Sequence, residues 1–393
     1  MNSRNARVIA VYLPQYHPIP ENDEWWGKGF TEWTNVAKAR PLFRGHYQPH
    51  IPADLGFYDL RLPEVREAQA HLAREAGIEG FCYWHYWFGG GRRLLERPFQ
   101  EVLSSGRPDF PFCLGWANHD WTNKTWTRRS AFSQDRILME QTYSEEDYVR
   151  HFHALLGAFR DKRYLTVDGK PLFLVFEPKL LPDPAKFIAI WQELARRNGL
   201  AGIHFVGNQF NVSFRKSDGQ VQLPRLDEAG RLYRAVLDMG FDAVNSNGII
   251  RAEVAVRGRI RRFVRQTWTR FFNAAPLDRY RYDRIIRHMY VPEDRWDNVY
   301  PTLVPNWDRS PRCGRKAAIF TDSTPENFEK AVEMALDLVR EKPAEQRILF
   351  VQSWNEWGEG NHLEPDLRYG RGYLDALARH VWTGGSAAGE AVR

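Results

Sequence analysis

The chain has 393 residues, 43% of them hydrophobic and 26% charged, which excludes a disordered or fibrous protein. Its 55 basic and 49 acidic residues leave a formal net charge of +6, too mild an excess to argue for a nucleic-acid partner. Three cysteines cannot close a complete disulfide framework, and no CxxC or Cys/His spacing suggests zinc, so buried reduced thiols are expected. No run of about 18 apolar residues occurs, and the N-terminal residues lack an apolar secretion segment. The expectation is a cytoplasmic protein that does not span a membrane.

Short apolar runs alternate with longer helical patterns from end to end. Val8–Leu13, Gly80–Tyr86, Phe112–Trp116, Leu172–Phe176, Ile203–Val206, Ala243–Asn245, Thr302–Pro305 and Ile348–Gln352 are predicted strands. Helices are predicted at Pro63–Ala76, Arg93–Ser104, Glu145–Arg160, Pro184–Asn198, Leu226–Met239, Val254–Phe272, Pro325–Lys342 and Gly372–Trp382. Eight strands alternating with helices predict an α/β fold, a (β/α)₈ TIM-type barrel. The competing open sheet usually carries a glycine-rich turn after its first strand, whereas Pro14-Gln15-Tyr16-His17-Pro18 stands here. Long insertions at Pro18–Leu62 and Ser246–Tyr300 follow strands, which places them on the C-terminal face of a barrel. One catalytic domain over residues 1–383 and a flexible tail at 384–393 are expected.

The residues that follow the strands carry the chemistry. Tyr16 follows the first strand, Trp84 and His85 end the second, and Trp116, Asn118 and His119 end the third. Glu177 follows the fourth, Asn208 the fifth and Trp307 the seventh, while Asn355 and Trp357 follow the eighth. Amides, carboxylates, imidazoles and large aromatics are what a hydroxyl-rich ligand needs: flat faces for its C–H groups and paired donors and acceptors for its hydroxyls. Fifteen Trp in one chain fit such a cleft as well as an aromatic core. Glu32, between Phe30 and Trp33 in the first insertion, is a further candidate ligand for a sugar hydroxyl.

The sharpest element is Trp354-Asn355-Glu356-Trp357-Gly358-Glu359-Gly360-Asn361. Residues three apart in a helical turn face one side, so Glu356 and Glu359 are predicted to share a site. Glycosyl chemistry uses two carboxyl groups flanking one bond with their pKa values pushed apart, and the neighbouring Trp residues can desolvate one of them. A pair of solvated carboxylates capping the last helix is the structural alternative.

Val11-Tyr12-Leu13-Pro14-Gln15-Tyr16-His17, Trp25-Trp26-Gly27-Lys28-Gly29-Phe30-Thr31-Glu32-Trp33-Thr34-Asn35-Val36, His46-Tyr47-Gln48-Pro49 and Leu55-Gly56-Phe57-Tyr58-Asp59 are long, specific patterns. Together with the C-terminal motif they make the chain resemble the WbsX-type proteins of O-antigen and cell-surface polysaccharide loci, from about Arg7 to Trp382. That family is similar to glycoside hydrolase family 99, the endo-α-mannosidases and mannanases, which are (β/α)₈ barrels. By this resemblance Glu356 would assist the sugar 2-hydroxyl and Glu359 would be the general acid/base. The position between Trp and the second Glu is usually His in those hydrolases and is Gly358 here.

The resemblance implies attack of O2 on C1 to give a 1,2-anhydro sugar, which requires the two groups to be trans, as in α-mannosides and α-rhamnosides. An oligo- or polysaccharide is thus the expected substrate, with no cofactor and no metal, since neither an HExxH motif nor a close His/Asp cluster stands in the sequence. A glycosyltransferase of surface-polysaccharide biosynthesis is the alternative, although no Asp-x-Asp motif occurs; a non-catalytic glycan-binding barrel is a third reading. The basic stretch 257–270 has an apolar stripe that could touch an anionic membrane, or form an outer barrel helix with a solvated basic face.

Overall fold

The computed structural model describes residues 4–383 apart from 124–135, 211–215, 218–219, 222–225, 227 and 258–276. The predicted strands form one parallel sheet: β1 (Arg7–Tyr12), β2 (Ile78–Trp87), β3 (Phe112–Trp116), β4 (Lys170–Val175), β5 (His204–Phe210), β6 (Ala243–Asn247), β7 (Val299–Leu303) and β8 (Ile348–Val351). Each pairs with the next, and β1 pairs with both β2 and β8, so the sheet closes into a (β/α)₈ barrel. The strands are apolar and buried nearly throughout, as parallel strands covered on both faces must be. β5 runs four residues beyond its predicted end because Gln209 and Phe210 stay in register with Ser246 and Asn247 of β6.

Helices pack around the strands, and local chemistry sets their starts. The side chains of Ser144, Asp183 and Thr324 accept the backbone N–H three residues on, capping Glu145–Phe159, Pro184–Arg197 and Pro325–Val339. The helix predicted from Arg93 begins instead at Arg97. Pro98 has no N–H to donate and suits only a first turn, so Arg93–Leu94 is released to pair antiparallel with Tyr86–Trp87. The helix predicted at Val254–Phe272 appears as Ile249–Arg257, and its remainder lies outside the described residues. So does the basic stretch after Arg257, and so does the tail at 384–393. Among the described residues no helix is long and apolar enough to cross a membrane. Cys82 and Cys113 are buried free thiols, as expected.

The apolar layer between strands and helices is strongly aromatic. Trp191 is fully buried, its indole N–H donating to the Tyr148 carbonyl at 3.0 Å and its ring packed on Phe173, Phe187 and Phe205. Truncating a side chain so enclosed leaves a cavity that a close-packed layer cannot collapse around. Trp191→Ala is expected to lower the unfolding free energy by about 3–5 kcal/mol. Denaturant titration checks this; a loss under about 1 kcal/mol would contradict the packing described.

Candidate active site

After β8 the chain makes a tight hairpin. Asn355–Glu356 pairs antiparallel with Asn361–His362 around a 3₁₀ turn, Trp357–Glu359. Residues three apart eclipse in a 3₁₀ turn, which brings Glu356 and Glu359 to one side. Buried neighbours hold the turn rigid. Asn355 accepts from the Leu13 N–H at 2.8 Å and donates to the Leu13 carbonyl at 3.1 Å. The Tyr16 hydroxyl donates to the Asn355 carbonyl and accepts the Trp357 N–H at 3.3 Å. The Trp357 indole donates to Glu364 at 2.6 Å and its ring stacks 3.7 Å from that of His362. Tyr16, Asn355 and Trp357 therefore support the carboxylates from behind and do not line the cleft.

The cleft itself is a cavity of about 400 Å³ at the C-terminal ends of the strands. Glu356, Glu359, Trp84 and His119 line it, as do Gln15, Tyr86, Asp120, Trp121, Phe176, Arg309, Arg312 and Gln352. Aromatic and charged side chains thus line it together, although of the binding residues expected from the strand ends only Trp84 and His119 are among them.

A single buried guanidinium organises the floor. Arg312 donates through Nε to Glu32 Oε1 at 2.9 Å, and its Nη1 lies 3.0 Å from Glu356 Oε1 and 2.6 Å from Glu359 Oε1. Arg309 adds a second contact to Glu359 at 3.1 Å. Ser353 donates to the other oxygen of Glu356 at 3.2 Å. Glu32 is fully buried beneath the cleft, so it meets Arg312 and does not face the cavity.

Gly358 is what makes room for Glu32. A Cβ at this position would stand 1.5 Å from Glu32 Oε1 and 3.0 Å from Arg312 Nε. The space that a side chain at residue 358 would take is thus filled by a carboxylate from the first insertion.

The two candidate catalytic carboxyls differ in charge state. Burial, reinforced by the charge of Glu359, pushes Glu356 up to about 7. Burial also acts to raise Glu359, but Arg309 and Arg312 outweigh it and hold that carboxyl below its ordinary value. Glu32 is raised by burial despite Arg312. The surroundings thus favour a neutral Glu356 over a neutral Glu359. This is the reverse of the resting states that the roles implied by resemblance would need.

Other expected ligands lie elsewhere. Trp84 and Tyr86 reach the cleft, but His85 between them points to the opposite face of β2, where its Nε2 lies 2.9 Å from that of buried His151. Trp116 is fully buried and donates to the Trp87 carbonyl at 2.9 Å. Asn118 bonds the backbone of Glu177 in both directions, and Asn208 donates to the Phe176 carbonyl at 3.1 Å, so both tie neighbouring strand ends together. Glu177 is half-buried outside the cavity wall, its carboxyl raised by burial. Trp307 lines a different cavity.

Arg309 and Arg312 escaped the sequence analysis. They stand three apart on the short turn around Ser310–Cys313, just after β7, the same spacing that singled out the two Glu. Asp308 fixes this turn. It accepts from Gln48 at 2.6 Å, meets His46 at 2.7 Å, and its own N–H donates to the Glu359 carbonyl at 2.8 Å. Burial would raise Asp308, but His46 and Gln48 lower it. Among the described residues one group has metal-compatible spacing: His50, His362 and Asp366, outside the cleft, with ligand atoms within 4.8 Å of one another.

A (β/α)₈ barrel with two buried carboxyls in a cleft at the C-terminal ends of its strands is an arrangement that glycosyl chemistry can use. The Glycosyltransferase WbsX family model matches residues 8–377, and the chain belongs to that family. A protein designated WxcX from Xanthomonas campestris pv. campestris is 38% identical over 373 residues, covering 94% of this chain and 49% of the relative. The chain thus spans about half the length of the curated relatives it matches. The fold is shared with the GH99 endo-alpha-mannosidase of Bacteroides thetaiotaomicron, at 12% identity and a TM-score of 0.53, covering 96% of each chain. It is shared likewise with a solved glycoside hydrolase-like protein, at 15% identity and a TM-score of 0.56, covering 97% of this chain and 94% of that one.

The raised carboxyl of Glu356 makes stability depend on pH. Between its ordinary value of 4.5 and about 7 the folded protein holds a proton that the unfolded chain releases. Its contribution is full below 4.5 and is lost as pH rises through 7. Glu356→Gln cannot ionise, so its stability relative to wild type is expected to climb from pH 4.5 to 7.5, by on the order of 3 kcal/mol. Parallel denaturation of both proteins across this range checks it; a difference that does not change with pH would show that Glu356 titrates normally.

Proposed function

We propose that the chain is a glycoside hydrolase-like enzyme that cleaves or transfers α-linked mannose- or rhamnose-type units of a polysaccharide. The observation that carries this reading is the pair of buried carboxyls, Glu356 and Glu359, meeting one guanidinium nitrogen with their pKa values pushed apart in an aromatic-walled cleft. The hydrolase fold supports it.

In the proposed reaction Glu356 accepts the proton of the 2-hydroxyl as O2 attacks C1, and Glu359 protonates the leaving oxygen. Glu359 then removes a proton from water or an acceptor hydroxyl that attacks C1, the C1–O2 bond breaks, and Glu356 returns its proton to O2, with overall retention. This sequence needs the single proton of the pair on Glu359 as the leaving oxygen departs, whereas without substrate the surroundings raise Glu356 and lower Glu359. The active form is thus the one-proton form of the pair, and kcat is expected to follow a bell-shaped pH profile.

The experiment is incubation with α-linked mannan or rhamnan fragments, without metal or sugar nucleotide. Oligosaccharide release is expected. Glu359→Gln and Glu356→Gln are each expected to lose about 10²–10⁴-fold in rate. An activated leaving group should restore much of the Glu359→Gln activity and none of the Glu356→Gln activity, and a 2-deoxy substrate should be inert. Rescue of Glu356→Gln instead would exchange the two roles.

The description of the matching family favours a second reading, glycosyl transfer in surface-polysaccharide assembly. Turnover that appears only with a sugar nucleotide would select it. Glycan binding without turnover, unchanged in Glu359→Gln, would select a non-catalytic barrel.

A further inference from the structure

Gln352 follows β8 on the wall of the Glu356/Glu359 cleft, one residue before Ser353, which donates to Glu356. Its backbone N–H donates to the Leu303 carbonyl of β7 at 2.9 Å, so the residue continues the barrel's pairing past the end of the strand. The side chain is half-buried on the cavity wall. A primary amide carries an acceptor oxygen and a donor NH2, and whichever faces the cavity decides what it can bind.

That orientation is set from the backbone. The Ile249 N–H, in the first turn of the helix after β6, donates to Asn247 Oδ1 at 3.3 Å. A backbone N–H can only donate, so it selects the Asn247 oxygen and leaves the NH2 to point the other way. Asn247 Nδ2 in turn donates to Gln352 Oε1 at 2.7 Å. Asn247 is 3% exposed, so little water competes for either bond. β7 lies between β6 and β8, and the Gln352 side chain reaches across its end to make this contact. With Oε1 used, Gln352 presents Nε2, which has no partner among the described residues.

The other groups of the cleft give this nitrogen a distinct role. Glu356 and Glu359 exchange protons in the proposed reaction, and Arg309 and Arg312 are bonded to carboxylates. Gln352 offers a donor that stays neutral at every working pH and is aimed before a ligand arrives, so little ordering of the amide accompanies binding. Its match is an oxygen lone pair of a hydroxyl or a sugar ring. A deoxy carbon there would leave the NH2 unpaired, and an ammonium group would set donor against donor.

We propose that Gln352 is a substrate-binding residue whose Nε2 donates to an oxygen of the sugar unit over Glu356, and that Asn247 is the positioning residue that keeps this nitrogen turned to the cleft. The proposal rests on the carbohydrate reading of the cleft and adds a selection for a hydroxyl-bearing unit over its deoxy or amino counterpart.

The test uses the full chain with α-linked mannan and rhamnan fragments, taking KM and kcat from oligosaccharide release and Kd from calorimetric titration. Gln352→Ala is expected to raise KM and Kd about tenfold while kcat changes by less than about threefold. Asn247→Asp keeps an oxygen for the Ile249 N–H but has no NH2, so Gln352 turns its own NH2 to residue 247 and its oxygen to the sugar. This variant is expected to weaken binding at least as much as Gln352→Ala. In a Gln352→Ala background it is expected to add less than about twofold, because it acts through that amide. Gln352→Glu makes the same exchange of donor for acceptor at the half-buried position, so the orientation is tested even if Asn247→Asp fails to fold.

Unchanged KM and Kd in Gln352→Ala would overturn the contact. Wild-type affinity in Gln352→Glu, or the full loss from Asn247→Asp in the Gln352→Ala background, would overturn the orientation by Asn247. Wild-type binding without turnover would contradict the proposed reaction and leave the Kd comparison to decide Gln352. Fragments neither bound nor cleaved would overturn both.

Discussion

Arg312 is the interaction on which the site depends. Its guanidinium is buried, cannot lose its proton, and is the common partner of Glu32, Glu356 and Glu359. Three carboxyls packed this closely away from water would otherwise be neutral or pushed apart. One cation against three acids leaves the group short of charge balance, and Arg309 supplies the second cation on the Glu359 side alone. That asymmetry separates the two candidate catalytic groups: Glu359 is lowered by the arginines and Glu356 is raised by burial. A buried cluster of this kind is poor evidence for stability, since desolvation offsets much of the attraction. What the cluster does impose is an unequal environment on the two carboxyls.

The surrounding fold serves that geometry. β7 ends in a turn that carries both arginines, and β8 ends in the hairpin that carries both carboxylates. Asp308 joins the two turns by its backbone bond to Glu359 and ties them to the first insertion through His46 and Gln48. The same insertion delivers Glu32, whose carboxylate can approach Arg312 only because residue 358 has no side chain. Insertion and glycine therefore form one device, and changing either alone would displace the guanidinium.

How much of this was legible depended on the range of the interaction. The eight strands stood out because fully buried parallel strands are continuous apolar runs, and Glu356 and Glu359 because a spacing of three is a local signal. The same spacing joins Arg309 and Arg312, but arginines after a barrel strand are usually solvated, so spacing alone does not mark them. His85 adjoins Trp84 in sequence, but neighbours in a strand point to opposite faces; the alternation that sends Trp84 and Tyr86 to the cleft sends His85 to His151. Asn118, Asn208 and Asn355 drew attention as polar strand ends, and their amides prove to bond backbone. Nothing in the sequence distinguishes an amide that ties strands from one that binds a hydroxyl. The partnership of Glu32 with Arg312 spans 280 positions and could not be seen before the chain was folded.

The most direct measurement is carboxyl-carbon NMR on protein with ¹³C-labelled glutamate side chains, titrated from pH 3 to 9 and assigned through the Glu356→Gln and Glu359→Gln variants. The account predicts that the Glu356 resonance titrates near 7, while that of Glu359 stays in its ionised position down to below the ordinary value of 4.5. Two resonances titrating together near 4.5 would contradict it, because Arg312 and Arg309 would then not divide the pair.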